Sequence, residues 1–339
     1  MPFSDAQGMS LTTRIIRPGR LGTIATFVAA ALGLAYLSFI LPKLLPGDFV
    51  TAMYASSDMV LSSEKEAELR ARTSSEEGFG GYLVNLLTLE WGHSYALETP
   101  ISALILEALP WSILLLGSAQ VISLLLGFIA GVEGAWRRGG LADRGILGGM
   151  TILAGLPEIC TGVMLLVIFS YWLGWFPAAG AETAYAILPT WQRLLDVLHH
   201  MVLPFVTLVI AYLPGNYLLV RNSMVLVLGE QFITTAQAKG LRSRRIKYAH
   251  AGRNALLPLV TRMGLRLALM VTGAIVVETV FSYPGLGTLL YGAIEARDLP
   301  LVRGIVLAVS FLVLAINFIL EFVYMALDPR IKHAHGFSG

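Results

Sequence analysis

The sequence predicts an all-α polytopic membrane protein with six transmembrane helices. Charged residues make up only 14% of the chain and apolar ones 56%, with a mean hydropathy of +0.71. A soluble chain of 339 residues needs more polar side chains than that to cover its surface. The apolar residues also gather into long runs, and about 20 residues of helix cross a bilayer. Finally, the basic residues cluster in alternate connections, as expected when Lys and Arg are retained on the cytoplasmic side.

Residues 1–20, with Arg14, Arg17 and Arg20, read as a cytoplasmic N-terminal segment. The uncharged run 21–42 is long enough to span and shows no convincing cleavage site, so it reads as a retained first helix. Residues 43–107 form an extracytoplasmic segment rich in Glu, with a short helix expected over 63–72 and an amphipathic stretch over 82–89. The core, 108–328, holds five further runs: 108–132, 145–181 (broken only by Glu158), 197–220, 265–281 and 304–327. Residues 329–339 form a cytoplasmic tail. Arg137, Arg138 and Arg144, the island 230–258, and Arg330 with Lys332 then share the cytoplasmic side with both termini. Residues 43–107, 178–196 and 283–300 fall on the other side. The single cysteine, Cys160, excludes an intramolecular disulfide framework.

The basic island, EQFITTAQAKGLRSRRIKYAHAGRNALLP, stands out from this apolar background. A short helix is expected at its start, ended by Gly240 in the left-handed conformation. Ser243 then caps a second helix carrying Arg244, Arg245, Lys247 and Arg253. An ordinary positive-inside loop explains the basic residues alone. It does not explain the small residues Thr235, Ala236, Ala238 and Gly240 where the chain turns, which permit close approach of a partner.

Ala236, Ala238-Lys239-Gly240, Arg253-Asn254-Ala255 and Leu257-Pro258 resemble the cytoplasmic coupling loop of ABC-importer permeases of the oligopeptide/dipeptide/nickel family. The resemblance continues in Leu45-Pro46-Gly47-Asp48, Gly174-Trp175-Phe176-Pro177-Ala178-Ala179-Gly180, Val277-Glu278-Thr279-Val280-Phe281, Pro284-Gly285-Leu286-Gly287 and Leu327-Asp328-Pro329-Arg330. Two segments depart from the family pattern. Thr234-Thr235-Ala236 stands where many ABC permeases have Glu-Ala-Ala, and Leu89 to Ser94 stands where the family often has Gly-Asp-Leu-Gly-X-Ser.

The resemblance implies a type I importer permease fold in the bacterial inner membrane. It implies as partners a second homologous permease, two ATPase subunits and an extracytoplasmic binding protein. ATP and Mg belong to the ATPase partners, and this chain is expected to hold no cofactor and to catalyse no reaction. The coupling contact to the ATPases would fall to Thr235, Ala236, Ala238, Lys239 and Gly240. Short peptides lead as cargo, with nickel or metal chelates next.

Two acids inside apolar runs are candidates for the translocation pathway. Glu158 follows Pro157 in the third run, where a carboxylate is costly and usually faces a cavity or a partner. It either walls the pathway or stabilises packing beside the proline. Glu278, near the outer end of the fifth run, either lines the outer gate or caps the loop at Pro284-Gly285. Arg262 and Arg266 read as snorkelling to the interface. The adjacent His199 and His200 diverge by about 100° on a helix, poor geometry for one metal.

The sequence contains no GxxxxGK[ST] loop, HExxH helix or GxSxG elbow, and no basic stretch interleaved with aromatics as nucleic-acid surfaces have. A proton-coupled secondary transporter using Glu158, or a membrane-embedded enzyme, are the competing classes.

Overall fold

The computed structural model describes residues 20–44, 78–256 and 275–327. The expected helix at 63–72, most of the fifth apolar run, Arg262, Arg266, the Leu45–Asp48 motif, Leu257-Pro258 and the tail lie outside them. All the elements described are helical: α1 (Arg20–Leu44), α2 (Phe79–Leu87), α3 (Ile101–Trp136), α4 (Leu141–Ala154), α5 (Glu158–Leu165), α6 (Thr190–Leu228), α7 (Gln231–Ala238), α8 (Ser243–Arg245), α9 (Leu286–Glu295) and α10 (Leu299–Leu327). Helix α5 continues as a π-helical segment, Leu166–Trp172, and α8 as another, Ile246–Gly252. Residues 275–280 are also helical.

Among the described residues four helices are long and apolar enough to cross a membrane: α1, α3, α6 and α10. Helices α4 and α5 together make a fifth candidate, bent by 96°. The third apolar run is therefore not one straight span. Gly155 ends α4, and Pro157, which has no N–H to donate, sits in extended backbone before α5 starts. Glu158 occupies the first turn of α5, where a carboxylate is favoured by the unpaired N–H groups.

Helices α3 and α6 overrun the apolar windows 108–132 and 197–220. Each has 36 residues or more, roughly 54 Å at 1.5 Å per residue, against a hydrocarbon core of about 30 Å. The surplus turns carry charge at both ends, including Glu107 and Glu133 on α3 and Arg193, Asp196 and Arg221 on α6.

These two helices form the most extensive helix–helix interface of the described chain. The α3 face holds Ala119, Ser123, Gly127, Gly131 and Ala135, one small buried residue every fourth position. In lipid, where helices gain nothing hydrophobic by associating, such residues let backbones approach closely. A Cβ on Gly127 would lie 2.8 Å from Asn216 Cβ, and one on Gly131 2.8 Å from Val220 Cβ. Asn216 donates to Ser123 Oγ across the same seam (2.9 Å).

Helix α1 packs against α10, with Phe27 edge-on to Phe318 at 5.1 Å. At the other end of this pair, Tyr82 of α2 donates to Ser38 (3.1 Å), and Arg303 lies 5.0 Å over the Tyr82 ring. Asp298 caps α10, accepting from Leu301 N–H (3.1 Å) and, through its other oxygen, from Ala96 N–H (3.0 Å) and the Ser94 hydroxyl. One buried carboxylate thus starts a span and pins the 92–100 loop.

Candidate coupling elbow and pathway residues

Helix α6 ends at Gly229, and α7 starts two residues later, so the elbow leaves the end of a long span with little slack. Ile233 and Ala236 of α7 are buried against Val132, Ala135, Val220 and Met224. The opposite face of α7 is exposed. Of the five residues proposed for coupling, Ala236 lies in this core, whereas Thr235, Ala238, Lys239 and Gly240 are exposed.

The turn after α7 is held by two backbone bonds, Gly240 N–H to Gln237 O (2.9 Å) and Leu241 N–H to Ala236 O (3.3 Å). With Gly240 at φ +69°, this is the paired-bond ending that favours glycine at the left-handed position. Leu241 folds back onto the cluster containing Ala236, closing the motif with an apolar contact. Ser243 is the first residue of α8 rather than its cap. Arg242 holds the cap position and makes no capping side-chain bond.

The second limb of the elbow returns to α3. Lys247 Nζ donates to both Glu133 oxygens at 2.9 Å and lies 5.4 Å over the Trp136 ring. The Tyr248 hydroxyl donates to Glu133 Oε1 (3.0 Å), and Arg137 stands 3.7 Å from Oε2. Burial, with that carboxylate beside it, raises the Tyr248 hydroxyl above the usual tyrosine range, so it remains a donor at neutral pH. Next to these, Arg221 of α6 donates through Nε and Nη2 to the two oxygens of Asp143 on α4, each at 2.8 Å. Asp143 Oδ2 also accepts from Gly139 N–H (3.0 Å), fixing the turn between α3 and α4.

Glu158 sits half-buried at the 96° break. One turn on, Gly162 lies against Thr207, near the middle of α6, and Phe281. Glu278 is fully buried. It accepts from the Ser112 hydroxyl (2.6 Å), Gly287 N–H (2.6 Å) and Thr288 N–H (3.2 Å), while Ser112 Oγ accepts from Leu286 N–H (2.8 Å). The open N–H groups at the start of α9 are thereby satisfied from two other segments. The glycines of Pro284-Gly285-Leu286-Gly287 follow from this. A Cβ on Gly285 would collide with the Glu278 carboxylate, and one on Gly287 would lie 2.6 Å from Ile275 Cα.

His199 and His200 take separate partners, the Trp175 and Asp196 carbonyls at 2.8 and 2.9 Å. Among the described residues no group of three or more His, Cys, Asp or Glu side chains converges on a metal position. Asp143, Arg221 and the pairing of Glu133 with Lys247 were missed by sequence reasoning. The available signal was an acid in or beside each basic connection, where only the basic residues drew notice.

A bundle of long apolar helices, one of them broken, with a compact elbow packed on its end, defines a polytopic membrane protein. Residues 123–333 match the family of binding-protein-dependent transport system inner membrane components, and the chain belongs to that family. It is a multi-pass inner-membrane permease component of an ABC transporter, non-catalytic, and implies ATPase and binding-protein partners.

Related chains include a putative peptide transport system permease protein of Brucella abortus (strain 2308), 34% identical over 91% of this chain and 97% of the relative. The oligopeptide transport system permease protein AppB of Bacillus subtilis is 33% identical (89% and 95%). The di/tripeptide transport system permease protein DppB of Pseudomonas aeruginosa is also 33% identical (89% and 94%). The fold resembles a chain of the inward-facing MetNI methionine ABC transporter, with TM-score 0.54, 19% identity, and 68% of this chain and 98% of that one covered.

Proposed function

We propose that this chain is one of two homologous permeases in an ATP-driven importer that receives short peptides from an extracytoplasmic binding protein. It has six spans, with both termini and the elbow in the cytoplasm. Two ATPase subunits dock on the exposed face of α7, and their closure on ATP moves the elbow, so that the pathway opens alternately to each side. The observation that carries the cargo assignment is the set of peptide permeases 33–34% identical over about nine-tenths of the chain. The elbow carries the ATPase assignment, because its buried face is anchored to two spans and its exposed face presents the small residues Thr234, Thr235 and Ala238 beside an exposed Phe232.

Glu158, at the break of the third span, walls the pathway. Glu278 shapes its outer end by holding α9. Deleting the gene in its host should abolish uptake of labelled trialanine and leave nickel uptake unchanged. Nickel uptake lost with trialanine uptake intact would overturn the cargo assignment. Glu158→Gln should lower trialanine uptake while the complex still assembles, and uptake unaffected by that change would remove Glu158 from the pathway.

A further inference from the structure

We propose that Glu133 is a positioning residue that ties the second limb of the elbow to α3, so that one elbow drives two spans together. The proposal rests on the reading of the elbow as the ATPase contact. The first limb reaches α6 through the chain itself, since only Gly229 and Glu230 separate α6 from α7. The second limb has no such covalent route to α3, which lies more than a hundred residues earlier. Its polar link is the Glu133 carboxylate, which takes two bonds from Lys247 and one from Tyr248.

The placement of Glu133 argues against a role in helix stability. It lies in the last turn of α3, which ends at Trp136. The unpaired carbonyls of a helix C-terminus favour a cation there and disfavour a carboxylate. Arg137, beside it, is largely exposed at 66%, whereas the Lys247 side chain is 14% exposed. The acid is therefore matched to the elbow rather than to its own helix. The surrounding contacts are close enough to transmit a push. A Cβ on Gly252 would lie 3.2 Å from the Phe128 ring of α3, and Tyr248 packs against Phe128 at 6.3 Å between centroids. Movement of the elbow then carries α3 and α6 as one body, along the seam where Gly127 and Gly131 already hold them in contact.

The test uses the full importer, with its partner permease, ATPases and binding protein, in liposomes. Glu133→Gln keeps the size and an acceptor for Tyr248 but removes the charge, and Lys247→Met keeps the stem. Each should leave ATPase activity without binding protein near the wild-type level. Stimulation by binding protein loaded with trialanine should fall roughly tenfold, within the usual range of coupling between sites. The exchange Glu133→Lys with Lys247→Glu should recover most of it. A merely structural pair would lower assembled protein without changing the ratio of stimulated to basal activity.

A second measurement does not depend on the folding of the charge variants. With Cys160→Ser as background, Glu133→Cys and Lys247→Cys are joined by a short bis-methanethiosulfonate crosslinker. Transport should survive, because the limb and α3 move together. Transport abolished by the crosslink, or single variants with wild-type stimulation, would overturn the proposal. Failure of the elbow reading itself shows separately, as normal stimulation in Gly240→Val.

Discussion

Removing the Asp143 carboxylate is the perturbation whose cost follows most directly from the structure. In Asp143→Ala the Arg221 guanidinium loses both of its 2.8 Å bonds, and the Gly139 N–H loses its acceptor. The two side chains are only 4% and 13% exposed, so the charge left behind is poorly hydrated. Truncating one partner of a buried, hydrogen-bonded pair costs about 2–5 kcal/mol, most of it the penalty of the unpaired charge. A cleft of about 270 Å³ bordered by Glu133, Arg137 and Asp143 admits water beside the pair. That places the cost in the lower part of the range, about 2–3 kcal/mol.

The double variant Asp143→Leu with Arg221→Met removes both charges and should cost less than Asp143→Ala alone. The assay is reversible unfolding of the purified chain in mixed micelles, across wild type, Asp143→Ala, Asp143→Leu, Arg221→Met and the double Asp143→Leu/Arg221→Met. A double variant as unstable as the two singles added together would refute the argument, because it would leave no coupling between the groups.

Three further outcomes follow from the same geometry. Gly240→Val should insert normally yet lose binding-protein-stimulated ATPase and uptake. A Cβ there meets nothing within 4 Å, so the cost of about 1–2 kcal/mol is that of the left-handed backbone, and Gly240→Asn should be milder. Gly287→Ala should destabilise the chain by about 2 kcal/mol, as overpacked sites do, because its Cβ meets Ile275 and Glu278 at 2.6–2.7 Å. Gly292→Ala on the same helix, where the Cβ meets nothing, is the control and should be neutral or slightly stabilising in a thermal-shift measurement.

The spans α1, α3, α6 and α10 were legible because a bilayer imposes a length on apolar runs. The 96° break was not. Pro110, Pro204 and Pro214 stand inside continuous helices whereas Pro157 stands in the break just before one begins, and a proline's effect depends on which neighbours satisfy the freed carbonyls, which composition does not record. The helix ends were set too short because charged residues were read as leaving the membrane. Arg221 and Glu133 instead lie on helical turns beyond the apolar windows, paired with residues 78 and 114 positions away. The small residues at every fourth position of α3 were readable as a close helix contact and were passed over. For Glu278 the sequence left gate and cap open; two of the three bonds to its carboxylate come from the first turn of α9 and one from Ser112 of α3.

The most direct test of the central claim is a photocrosslinking side chain placed at Ala238, on the exposed face of α7, in the importer purified from its native membrane. Illumination should join this chain to an ATPase subunit, and the yield should change when ATP closes the ATPase pair. An intact complex in which Ala238 never crosslinks to an ATPase, or a chain that purifies with no ATPase at all, would contradict the account.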